Sequence, residues 1–305
     1  ADITVVPLEP TRSMVFELNG SLKVESIERD GKALTGFVQD AVGVGSLGPS
    51  VRVDLGQVVP ANQPITLRFR WSGALVSPEG GPLATRRLAY VGTEGSYLMY
   101  ASRWFPFHDY AADRATSDIT LIVPAGLQVA GTSDDPVTGQ PAGKDGAVRY
   151  RFVHRQPVLL GNFAAGQYIN RNLRFGNYEI QFHAKPGSEG RINGYAELMG
   201  QVLEFYSKQY GAPLFGNRLV VVQVDDDTMD TYSGPGIIFL ASRLFDSSRP
   251  MPEEKLAREV AYQWWGQTVG LKSFDDAWLS QGLAEWSHLY VAPRTPVEEM
   301  LVGIW

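Results

Sequence analysis

Apolar and polar positions alternate one by one through the first half of the chain. Ile65, Leu67, Phe69 and Trp71 are separated by Thr66, Arg68, Arg70 and Ser72, the period-two pattern of a strand with one buried face. Val148, Tyr150 and Phe152 alternate in the same way with Arg149 and Arg151. Asp30-Gly31 and Asp145-Gly146 lie between such runs and predict hairpin turns. Pro and Gly punctuate the rest, as at Pro78 to Pro82 and Asp135 to Gly143. Residues 1–170 therefore read as all-β.

From about residue 171 the period changes. Tyr178 to His183 reads as a strand. Ile192 to Tyr210 reads as a helix, with Leu198, Val202, Phe205 and Tyr206 near 3.6 spacing and Gly211 just past its end. Arg218 to Val224 and Gly236 to Leu240 predict short strands. A helix from Pro252 to about Val269 starts on Pro with Glu253 and Glu254 in its first turn, where the helix dipole favours anions. Its apolar face runs through Leu256, Val260 and Trp264. The next helix, about Asp275 to Val291, is expected to bury Leu279, Leu283, Trp286 and Tyr290. The pattern as a whole predicts an α+β chain of two domains, 1–170 and 171–305.

Composition narrows the function classes. The chain has 305 residues, 44% hydrophobic and 20% charged, which suits a globular protein with a sizeable core. Net charge is −6 with no basic cluster, so nucleic acid is not an expected partner. No apolar run approaches the ~18–20 residues that a membrane helix needs. Cysteine is absent, which excludes disulfides and thiolate metal sites but leaves the compartment open. The chain starts without Met or a signal segment, as expected of a processed protein or an excised piece.

The chemistry concentrates in Arg258-Glu259-Val260-Ala261-Tyr262-Gln263-Trp264-Trp265-Gly266. A zinc peptidase helix carries H-E-x-x-H, so that two His at i and i+4 share one face and grip the metal while the Glu acts as general base. Here Glu259 is present, and Arg258 and Tyr262 hold the two His positions. Gln263-Trp264-Trp265-Gly266 resembles the H-Q-W-W-G that ends this helix in gluzincin aminopeptidases, the membrane alanyl aminopeptidase and leukotriene-A-hydrolase-like group. Trp278-Leu279-Ser280-Gln281-Gly282-Leu283-Ala284-Glu285-Trp286 resembles that family's W-L-N-E-G-F-A-E-Y block. Arg103-Trp104-Phe105-Pro106-Phe107 and Gly234-Pro235-Gly236-Ile237-Ile238-Phe239-Leu240 extend the likeness over nearly the whole chain, most strongly after about residue 215.

The resemblance implies an N-terminal saddle-like β domain followed by a thermolysin-like domain, a zinc cofactor and peptide substrates. It also implies that the third ligand, a Glu nineteen residues beyond the second His, stands at Gln281. Arg has no lone pair to give, Gln is a poor zinc ligand and Tyr an uncommon one. A relative with these three degenerate metal positions is therefore expected to carry no zinc. Glu259 becomes a relic general base, since a lone carboxylate without a metal supplies little rate enhancement. Glu285 matches a carboxylate that orients a ligand His in the family. Arg258 beside Glu259 and Glu285 would restore the positive charge of the metal, because guanidinium forks well onto carboxylates. The family's substrate loop, whose Glu anchors the free α-amine, falls on Tyr232, Ser233 and Gly234, with Asp230 close enough to substitute.

Two other clusters carry weaker signals. Asp225, Asp226, Asp227 and Asp230 fail the calcium-loop spacing at Met229 and read as a solvated loop. Of the four His, His108, His154 and His183 sit on β segments, and His288 lies three residues after Glu285. The first reading is a pseudopeptidase with a binding or scaffolding role, holding peptides or a protein partner in the former cleft. The second is an active metallo-aminopeptidase with the atypical ligands Glu285, His288 and Glu259. The third is a structural domain of a larger membrane or secreted protein, which would place the chain in the periplasm or outside the cell.

Overall fold

The computed structural model describes all residues except 44–47, 76–85, 110–112, 144, 247, 249, 290 and 292–305. The Pro78 to Pro82 turn and Tyr290 lie outside the described residues. By packing the chain falls into two units, 1–92 with 98–113 and 93–97 with 114–305. The sequence boundary at 170 marks a different event, the change from all-β to mixed secondary structure, and the strands of 115–166 pack with the second unit.

In the first unit the alternating runs make two antiparallel sheets. One orders its strands Asp2–Val5, Ile65–Gly73, Leu22–Arg29 and Lys32–Ala33, and the other Thr11–Glu17, Ser50–Val59 and Phe37–Asp40. Their inward faces meet in one core of Phe16, Leu22, Ile27, Val51, Val53, Leu67 and Phe69. Ile65, Leu67 and Phe69 are buried as the alternation requires, whereas Trp71 is half-buried. The Trp71 indole N–H is spent on the Trp104 carbonyl at 3.0 Å, which fits the need of an indole to satisfy its donor at a core edge. Asp30 and Gly31 both take positive φ, 52° and 74°, as the two central residues of a tight hairpin turn do.

The second unit carries the antiparallel strands Ala115–Val123, Val148–Val158 and Gln140–Pro141, with Gln128–Gly131 paired to Phe163–Gly166. A five-stranded mixed sheet follows, in the order Ile169–Phe175, Tyr178–Ala184, Arg218–Val224, Ile237–Ala241 and Thr231–Gly234. Its three central strands run parallel and both edges are antiparallel. Helix α1, Glu189–Tyr210, and helix α2, Glu253–Ala261, lie over one face and seal a core of Ile180, Phe182, Met199, Leu203, Leu219, Val221, Val260 and Trp264. Helix α3, Ala277–His288, packs on α2. The fold is α+β.

Two helical expectations need correction. Helix α2 stops at Ala261 rather than near Val269, and residues 262–269 continue as tight turns. Gln263 causes this in part, because its buried side chain accepts from Gly236 N–H at 2.8 Å and donates to Gly234 C=O at 3.0 Å, which pulls the chain toward the hairpin. Gly266 then takes φ +128°, a conformation that only Gly adopts without strain. In α3 the buried residues are Ala284, Ser287 and His288, while Leu279 is 46% exposed, Leu283 and Trp286 are half-buried and Trp278 is 70% exposed. Small side chains at the crossing let α3 approach α2 closely, so the contact face is rotated away from the large apolar residues.

Candidate functional site: a degenerate metal position

Arg258, in the last turn of α2, and Tyr262, its C-cap, are one turn apart and share a face, with Glu259 beside them. Glu259 is only 4% exposed. Its Oε1 accepts a hydrogen bond from Thr231 Oγ1 at 2.8 Å and its Oε2 one from Ser233 Oγ at 2.7 Å. Thr231 and Ser233 are two apart on an edge strand, so both hydroxyls face the same way, toward α2. Burial raises the Glu259 pKa above the ordinary carboxylate value, and the two hydroxyl bonds and the Arg258 charge pull it back part of the way.

Arg258 reaches across to Glu285 on α3. Its Nη1 lies 2.6 Å from Glu285 Oε1, a charge-assisted bond, and its Nη2 lies 3.8 Å from Glu259 Oε1. Burial works to lower the guanidinium pKa, but the bond to Glu285 and the charges of Glu285 and Glu259 outweigh it and the pKa is raised. Nε of Arg258 is buried without a hydrogen-bond partner. His288 is 8% exposed, with Nδ1 3.3 Å from Glu285 Oε2 in a geometry that makes no hydrogen bond. Burial, followed by the Glu259 charge, pushes the Tyr262 phenol up to about 12, so it is neutral at physiological pH.

The structure thus brings together Arg258, Glu259, Glu285 and His288, with Tyr262 close enough to feel their charges. It leaves Gln281 out. That side chain is exposed and makes no hydrogen bond among the described residues. Tyr232 packs edge-on against Phe239 at 6.0 Å, the buried Gly234 carbonyl is taken by Gln263, and the Ser233 carbonyl by Gln267 Nε2 at 3.1 Å. In place of an amine anchor, Ser233 offers its hydroxyl to Glu259. Asp230 is committed to Arg243 at 2.7 Å, Asp225 is paired with Lys185, and Asp226 accepts from Thr228. Sequence reasoning missed Thr231; the signal was its place two residues before Ser233 on one strand face.

Zinc does not fit this set of donors. Arg258 brings a cation rather than a lone pair, and it occupies an oxygen of Glu285. Among the described residues no three His, Asp, Glu or Cys side chains converge as a metal-binding group.

Relatives are found in one family. Aminopeptidase 2 of Candida albicans is 25% identical over 213 residues, covering 66% of this chain and 23% of its own length. Probable aminopeptidase 1 of Saccharolobus solfataricus is 27% identical over 195 residues, covering 61% of this chain and 25% of its own. The homologues are M1 aminopeptidases. No protein-family model matches the chain. Among solved structures, Legionella pneumophila aminopeptidase A in complex with aspartic acid superposes with a TM-score of 0.78 at 15% identity, covering 95% of this chain and 35% of that one. The M1 zinc metallopeptidase of Deinococcus radiodurans gives 0.69 at 20% identity, covering 94% and 64%. The chain spans about a quarter of the length of the first curated relatives it matches. The resemblance read from Gln263-Trp264-Trp265-Gly266 and the block around Gln281 thus points to the family that the comparisons return.

Proposed function

We propose that this chain is an M1 aminopeptidase relative without peptidase activity, acting as a binding or scaffolding module through the former active-site cleft and carrying no zinc there. One observation carries the reading. The guanidinium of Arg258 is locked onto Glu285, while Glu259 is buried and clamped by Thr231 and Ser233. A general base has to reach a water polarised by a metal. Here the carboxylate is saturated by its own protein, and the residue one position before it is a cation. The loss of a carboxylate at Ser233 fits the same reading, since a hydroxyl does not hold an ammonium as a Glu does.

The test is elemental analysis together with turnover. Protein purified without chelator is assayed for zinc after dialysis and for hydrolysis of a panel of fluorogenic aminoacyl amides, with and without added Zn²⁺. The expected result is substoichiometric zinc and no release above the protein-free blank. Stoichiometric zinc that survives dialysis, or chelator-sensitive turnover that Glu259→Gln abolishes, overturns the proposal.

A further inference from the structure

The second unit contains an open cavity of about 660 Å³ away from α2 and α3, within the range of small-molecule sites. One wall is the face of the mixed sheet turned away from its core. The strand Tyr178–Ala184 alternates strictly, with Ile180 and Phe182 buried in the core and Gln181 and His183 on the opposite face. Asn170 is the register partner of His183, and Val220 that of Gln181, so Asn170, Gln181, His183 and Val220 line the same surface, with Arg218 at its end. The facing wall comes from the strands of 115–166 and includes Phe152, Tyr150 and His154.

Two histidines face this space and differ in one respect. His154 is satisfied at both nitrogens, by Ser117 Oγ at 3.1 Å and Thr132 Oγ1 at 3.2 Å. Thr132 spends its single proton on the Pro235 carbonyl, so it accepts from His154 Nε2–H, and Nδ1 accepts from Ser117. Among the described residues His183 has no hydrogen-bond partner at either nitrogen, and its Nδ1 is sealed from solvent. Its ring is held edge-on to Tyr168 at 5.9 Å. Burial lowers its pKa to about 4, so it is a neutral imidazole, and with Nδ1 sealed it is Nε2 that is left to meet a ligand, as donor or acceptor by tautomer. Charge adds a second criterion. Asp134 in the cavity wall is already taken by Arg155, whereas Arg218 has no ion-pair partner among the described residues.

We propose that this cavity binds a small hydroxylated acid of the sugar-acid class, with a hydroxyl on His183, the carboxylate toward Arg218, and the apolar face of the molecule against Phe215. A hydroxyl both donates and accepts, so it matches the imidazole in either tautomer; along the wall Asn170 Nδ2 already donates to Gln128 Oε1 and Gln181 Nε2 to Glu179 Oε1, which leaves their carbonyl oxygens and the Asn217 carboxamide for further hydroxyls. An aromatic and amide-lined pocket with a single free cation selects a polar molecule with one negative charge over a peptide or a lipid. The site is independent of the α2–α3 cleft and of any activity there.

The test is calorimetric titration of the full chain with glucuronate and, separately, with glucose, for the parent, His183→Phe and Arg218→Gln. Both variants change side chains on the face turned away from the core, and circular dichroism checks that they fold. Saturable glucuronate binding is expected, weakened about tenfold or more by His183→Phe. Arg218→Gln should reduce glucuronate to the level of glucose. His183→Gln, which retains a donor and an acceptor, should recover part of the loss. No saturable binding of glucuronate, binding that His183→Phe leaves unchanged, or glucose binding as tight as glucuronate in the parent overturns the inference.

Discussion

Replacing Arg258 with Met tests the electrostatic reading of the degenerate site. The guanidinium is the cation nearest a carboxylate that is otherwise shut away from water. At 3.8 Å, and at the effective dielectric of about 20 suited to such sites, the Arg258–Glu259 attraction is about 4 kcal/mol. That is an upper bound, because the Arg258 side chain is 26% exposed and is shared with Glu285, itself 49% exposed. The Arg258–Glu285 bond, largely open to solvent, contributes about 0.5–1 kcal/mol. Allowing for screening, the substitution should cost about 1–3 kcal/mol at pH 8, or a drop in Tm of about 2–5 °C. The pH dependence separates charge from packing. Burial holds the folded-state pKa of Glu259 above its ordinary 4.5, so stability is highest below that value and falls as pH rises toward the folded pKa. Without Arg258 the folded pKa rises further and the falling window extends upward. The variant should therefore lose most at pH 8 and approach the parent near pH 4.5. Thermal melts at both pH values decide the matter. A difference that is the same at pH 4.5 and pH 8, or an Arg258→Met protein as stable as the parent at pH 8, refutes the argument.

Other consequences follow from the same geometry. Glu259→Gln removes a buried charge while keeping an acceptor for one hydroxyl, so denaturant melts should show it at least as stable as the parent at pH 8, with a flatter pH profile. Ser233→Ala leaves one Glu259 oxygen without its donor and should cost about 1–2 kcal/mol in urea unfolding at pH 8, with a smaller loss at pH 4.5. Gly266→Ala forces a side chain into φ +128° and places its Cβ 2.9 Å from Ser280 Oγ, so a loss of about 1–3 kcal/mol is expected in thermal melts. The triple reversal Arg258→His, Tyr262→His, Gln281→Glu should gain zinc affinity over the parent in a metal titration without efficient turnover, because Ser233 supplies no anchor for a substrate amine; equal, weak affinity in both would show that the frame no longer places ligands.

Much of the second unit was legible because its signals are local. Arg218 to Val224 is a strand at the residues its apolar run marked, and Gly211 ends α1 where the pattern stops. The pairing of Arg258 was legible through the family resemblance, which set Glu259 and Glu285 beside it and left open which it would take; the short bond goes to Glu285. What failed depended on tertiary partners. The apolar spacing Leu279, Leu283, Trp286 described a stripe on α3 but not which stripe would meet α2, and a helix crossing is decided by the small residues Ala284 and Ser287. The end of α2 was misread because Gln263 looks like an ordinary helix residue until the Gly234 and Gly236 backbone groups that capture it are in place. The clamp of Thr231 and Ser233 on Glu259 spans 28 residues and has no motif of its own.

The same bonds account for a motif that outlasts its ligands. If Gln263-Trp264-Trp265-Gly266 served only to present metal ligands, nothing would hold it once Arg258, Tyr262 and Gln281 took their places. Each of its side chains has a structural task instead. Gln263 ties the end of α2 to both sides of the hairpin turn, and Trp264 fills the core and donates its indole N–H to the Gly211 carbonyl at 2.9 Å. Trp265 donates to Ser287 Oγ at 2.9 Å and so binds α2's end to α3. Ser287 in turn donates to Leu283 C=O at 2.7 Å. Losing a buried amide or indole that satisfies other buried groups costs more than losing a solvent-facing ligand, since each partner is stranded with it. The ligand positions are less enclosed, since Arg258 is partly open and Gln281 is exposed, and can change chemistry at little cost to the fold. Stability alone is therefore enough to keep the frame, and the frame by itself says nothing about whether the chemistry survives.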